Sequence, residues 1–103
     1  MKRLVTAFAV TIALASSAWA QKTTIEVQYP LAFIFDKVFQ ELKTEFEKQN
    51  PDITVSYRSA YKEYEDAAQT ALRVAVTKQL PDVALQAINL QRPFIDRGIA
   101  VDL

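Results

Sequence analysis

Five side chains in this 103-residue sequence have the chemistry to hold a small polar molecule: Tyr29, Tyr61, Tyr64, Gln86 and Asn89. A tyrosine can lay its ring on an apolar ligand face and bond through its hydroxyl. Glutamine and asparagine offer both donors and acceptors. That mixture suits a sugar or polyol. The sequence has no histidine and no cysteine, so the commonest general base, the commonest metal ligand and the thiolate nucleophile are all absent. It has one glycine, Gly98, and therefore no glycine-rich phosphate loop. Carboxylates occur in pairs, but none at a catalytic spacing. The reading is a binding protein rather than an enzyme, with no cofactor and no metal.

Glu63, Glu65 and Asp66 form the one acidic cluster that invites a metal or an anion-discriminating role. A metal needs oxygen ligands converging from several directions, which three residues on one helical turn do not supply. Acidic residues in a first helical turn stabilise the helix dipole by about 0.3–1 kcal/mol each at a surface. The cluster is therefore read as a helix start. It would also repel a phosphate placed there.

The elements that position the five residues follow from periodicity. Thr24 to Tyr29 alternates, with Ile25, Val27 and Tyr29 on one face, and predicts a strand that ends at Pro30. From about Phe33 the period changes to three and four. Phe35, Val38, Phe39, Leu42 and Phe46 make one apolar stripe on a helix, expected to be core surface. Asp36 near its start and Lys48 near its end suit the dipole. Pro51 disfavours helix at Asn50, which sets the stop. Ile53, Val55 and Tyr57 alternate again as a second strand. Tyr61 to Lys78 reads as a second helix with an alanine-rich apolar side that allows close approach. Val83-Ala84-Leu85 is a short apolar run, expected to be a strand covered on both faces. Leu90, Phe94 and Ile95 suggest a third short helix, with Gly98 at its C-terminus.

The order β-α-β-α-β-α predicts an α/β fold: a three-stranded parallel sheet with flanking helices. In such sheets ligands lie beyond the carboxyl ends of the strands. Those ends are 29–32, 57–64 and 86–91, and they carry the five candidates. Tyr29 is open to two readings, ligand contact or core on its strand face. Tyr57 is read as core.

The first twenty residues stand apart. Lys2 and Arg3 precede an apolar run, Leu4 to Ala15, and Ala18 and Ala20 supply the small residues of a cleavage site. This predicts a secretory signal cut after Ala20 and a periplasmic protein comprising residues 21–103. The alternative, a retained anchor, needs about 20 apolar residues. Without Lys2 and Arg3 the acidic residues outnumber the basic by two, which leaves no electrostatic footprint for nucleic acid or an anionic membrane. A monomer is expected.

Several segments together resemble one family. "FEKQNPDITV" resembles the helix–turn–strand signature near the mature N-terminus of extracellular solute-binding proteins, the periplasmic receptors of ABC importers for sugars and glycerol 3-phosphate. "YKEYEDAAQTAL", "LPDVALQ" and "RGIAVDL" resemble the segments that follow, in the same order across residues 25–103. The resemblance implies a two-lobed protein that closes on a sugar, polyol or glycerophosphate-type solute and docks on membrane permease subunits. This chain would supply the first part of the first lobe, as a fragment, a truncated product or a piece of an interrupted gene. In glycerophosphate-type members a tyrosine just before the second helix contacts the ligand, and Tyr64 matches it, with Tyr61 close by. A polar residue after the third strand does likewise, and Asn89 falls there. One departure is the turn Pro30 to Phe35, which has no glycine where family members often carry glycine or another small residue, and which argues against close backbone approach to a ligand there. The alternative reading is a small exported α/β protein or gene remnant, acting through a protein surface and not in transport.

Overall fold

A computed structural model of the protein describes residues 21–101. The expected signal segment, residues 1–20, lies outside the described residues. The elements are β1 (Thr23–Pro30), α1 (Ala32–Gln49), β2 (Ile53–Tyr61), α2 (Tyr64–Ala75), β3 (Val83–Ala84), a short 3-10 helix (Ile88–Leu90) and α3 (Arg92–Asp96). The three strands form one parallel sheet in the order β2-β1-β3. This is the expected α/β architecture, with β1 in the middle.

Alternation along β1 sends its two sides to different helices. Tyr29 packs its ring on Phe39 of α1, centroids 4.5 Å apart, and edge-on against Tyr57 of β2 at 5.2 Å. Gln28, the next residue back, points the other way and donates from Nε2 to the Ala67 carbonyl of α2 at 2.9 Å. The helices therefore cover opposite faces. The alanine side of α2 allows this close approach: Ala67, Ala68 and Ala71 are buried, and Phe94 of α3 closes over Ala68 and Ala71.

Helix α1 departs from expectation. None of its residues is fully buried. Phe39 is half-buried against Tyr29 and Tyr57, and Phe35 is half-buried beside Phe39, but Val38 and Leu42 are 54% and 56% exposed and Phe46 is 40% exposed. Leu42 and Phe46 face Ile25 and Val27 of β1 across an open gap of about 310 Å3 instead of packing on them. Asp36 lies beyond the first turn, which holds no acidic residue, and its carboxylate instead accepts the Tyr29 hydroxyl at 2.6 Å. Lys48 does occupy the last turn, and the helix ends at Gln49 before Asn50-Pro51 as expected.

Two further boundaries move. Tyr61 is the last residue of β2 and not the start of α2: it pairs with Pro30, and its carbonyl accepts the Leu31 N–H at 3.0 Å, which keeps it extended. Strand β3 is two residues long and lies at the sheet edge with Val83 47% exposed, so it is not covered on both faces. The other edge is closed differently. Lys43 of α1 donates to the Val55 carbonyl, and Glu47 accepts the Val55 N–H at 2.7 Å. Charged side chains thus occupy the outer backbone groups of β2, a common way of blocking further strand pairing.

Both shorter helices end in the same backbone pattern. After α3, Ile99 N–H bonds to the Phe94 carbonyl and Gly98 N–H to Ile95, with Gly98 left-handed at φ 62. After α2, Gln79 N–H bonds to Val74 and Lys78 N–H to Ala75, with Lys78 at φ 57. These are Schellman caps, in which the left-handed position favours glycine. Gly98 meets the expectation drawn from sequence. Lys78 makes the same turn with a side chain.

Candidate functional site

The strand order places the site. The chain leaves β1 for β2 on one side and later returns to pair β3 on the other, so β1 and β3 flank the point where the winding reverses. Crevices of this kind, at the carboxyl ends of the strands, are where open α/β sheets bind ligands. The rim is built from short connections. A single residue, Leu31, links β1 to α1. It sits left-handed at φ 58, and its carbonyl accepts the Ile34 and Phe35 N–H groups. The turn therefore takes, with leucine, the conformation that glycine adopts without steric cost. Across the rim, Pro30 faces Tyr61 on β2. On its other side Gln28 pairs with Ala84 and accepts the Leu85 N–H at 2.9 Å, so Gln86 emerges beside the end of β1.

Of the candidates other than Tyr29, two stand at the end of β2 and the start of α2, and two follow β3. Tyr61 ends β2 and Tyr64 begins α2, both half-buried. Gln86 follows β3, and Asn89 sits exposed in the 3-10 helix. No side-chain hydrogen bond joins any two of them among the described residues. Tyr64 and Asn89 carry ring, hydroxyl and amide surface that solvent reaches. Gln86 is different: the nitrogen and oxygen of its amide are shut off from solvent, without a hydrogen-bond partner in the protein.

Tyr29 is corrected. It has no exposed surface, its ring lies between Phe39 and Tyr57, and its hydroxyl is committed to Asp36. Of its two readings, the structure takes core. Burial first, then the bond to Asp36 and that carboxylate's charge, push the hydroxyl from 10.0 up to about 12. Tyr57, read as core, is half-buried: its ring lies against Tyr29 and Phe39 and its hydroxyl donates to the Phe39 carbonyl at 2.7 Å.

Sequence reasoning passed over the polar side of the sheet beneath α2. Gln28 is fully buried, with its Oε1 unpartnered. Arg58 of β2 grips the Glu26 carboxylate with two nitrogens and donates to the Gln79 carbonyl at 2.8 Å. Asp82 accepts the Glu26 N–H at 2.8 Å. The signal was the opposite charge of Glu26 and Arg58 on two strands already expected to be neighbours.

The acidic cluster behaves as a helix start. Glu65 and Asp66 occupy the first turn of α2, and Glu63 precedes it without a side-chain cap bond. No group of three metal-ligating side chains occurs among the described residues, and none of their helices is long and apolar enough to cross a membrane.

A groove of about 1020 Å3 runs along the free edge of β3, walled by Ala71, Val83, Ala84, Phe94 and Ile99. Gln86 lines it, but Tyr61, Tyr64 and Asn89 do not. It is open and mostly apolar, whereas the rim carries the polar chemistry. No family model, curated protein or solved structure matches this chain.

Proposed function

We propose that this chain forms the first part of one lobe of a periplasmic solute-binding receptor of an ABC importer, taking a sugar, polyol or glycerophosphate-type solute. The observation that carries the reading is the parallel order β2-β1-β3, since open sheets whose winding reverses in this way bind ligands beyond the strand carboxyl ends, and Tyr61, Tyr64, Gln86 and Asn89 stand at or after those ends in sequence. Tyr64 offers a ring and hydroxyl, Asn89 and Gln86 offer amides, and the acidic start of α2 favours a neutral polyol over a phosphate. The open edge at β3, where Val83 is exposed, suits a lobe whose sheet extends past it. The protein performs no chemistry. A second lobe would close over the solute, and the closed form would be what the permease subunits recognise, a population shift driven by the better contacts of the closed state.

Half a cleft binds weakly, because the facing contacts are missing. Titration of this protein with glycerol, maltose and glycerol 3-phosphate, followed by backbone-amide NMR, is expected to give at most millimolar binding. The shifts should be confined to the rim around Tyr61, Tyr64, Gln86 and Asn89. Tyr64→Ala should remove them and leave the melting temperature nearly unchanged. Tight binding would overturn the half-site. A sharp fall in melting temperature for Tyr64→Ala, with the shifts intact, would make Tyr64 a packing residue. Shifts that avoid the rim would end the assignment.

A further inference from the structure

No further inference is drawn: the strongest candidate, the open apolar groove along the free edge of β3 between α2 and α3, is an unpartnered face, and nothing in the structure shows what covers it.

Discussion

Lys78 and Gly98 allow a direct test of what closes the two shorter helices. Both residues hold the left-handed position of the same cap, at φ 57 and φ 62. An L-residue there costs about 1–2 kcal/mol through the contact of its Cβ with the following carbonyl. Glycine avoids that contact but gives back about 0.5–1 kcal/mol through its freer unfolded chain. The net advantage of glycine is then about 0.5–1 kcal/mol at either position. Lys78 is exposed and makes no side-chain hydrogen bond or ion pair among the described residues, so its replacement loses little packing. A Cβ at Gly98 would meet nothing within 4 Å, so a substitution there is costly for its backbone alone.

One competing effect must be separated. A lysine near a helix C-terminus gains about 0.3–1 kcal/mol from the dipole. Lys78→Gly on its own mixes that loss with the conformational gain. Comparing Lys78→Gly with Lys78→Ala cancels the charge and leaves the backbone. The glycine variant should be more stable than the alanine variant by about 0.5–1 kcal/mol, about 2–8 °C in melting temperature for a domain of this size. Gly98→Ala should lose a similar amount. Thermal melts followed by far-ultraviolet circular dichroism, with denaturant titrations for the free energies, measure both. If the two Lys78 variants melt together, or Gly98→Ala melts with the parent, the left-handed cap does not set the stability of these turns and the argument fails.

Other outcomes follow from the core and from the sheet edge. Tyr29→Ala should cost about 3–5 kcal/mol, as expected for a fully enclosed aromatic ring, and a denaturant midpoint close to the parent's would contradict its burial. Because the Tyr29 hydroxyl is raised from 10.0 to about 12, its contribution is complete below pH 10 and is lost as pH rises toward 12. Tyr29→Phe should flatten that part of the stability curve. Glu47 shifts the opposite way: the Val55 N–H first, then Lys43, hold its carboxyl below the ordinary 4.5. Its contribution is therefore present above pH 4.5 and disappears as pH falls through the lower folded value. An NMR titration of Glu47 with a midpoint at or above 4.5 would show that the edge of β2 is not closed in this way. Ala67→Leu should destabilise by about 1–3 kcal/mol, since Ala67 is fully buried over Gln28, and a neutral result would mean that α2 does not lie close to the sheet.

What the sequence made legible is what local physics decides. The change from a period of two at Tyr29 to a period of three and four after Phe33 marks a strand and then a helix whatever surrounds them. Asn50-Pro51 stops that helix by sterics within two residues. Gly98 announces its cap because a left-handed turn is easiest without a Cβ. The α/β class and the parallel sheet followed from such signals in order, and they placed Gln86 and Asn89 after the third strand, whereas Tyr61, read as the start of the second helix, ends β2.

The misreadings share one physical origin, which is that exposure depends on neighbours that a period does not name. Val38 and Leu42 have the spacing of core residues, yet they stand more than half exposed, and Leu42 lines an open gap over Ile25 and Val27 instead of packing on them. Val83-Ala84-Leu85 has the composition of a strand covered on both faces, yet it occupies the edge. Both segments are more apolar than their surroundings require. The polar counterpart is Gln28: in an isolated alternating strand it belongs to the solvent face, but α2 covers that face and Gln28 becomes a fully buried amide tied to Ala67. Tyr29 follows the same logic. Its place at the end of a strand suggested the rim, but the last residue of a strand that points toward a helix is enclosed by that helix, and the pair Phe39 and Tyr57 encloses it here. For a strand-end residue in a doubly wound sheet, the face to which its side chain alternates decides between core and rim before chemistry does.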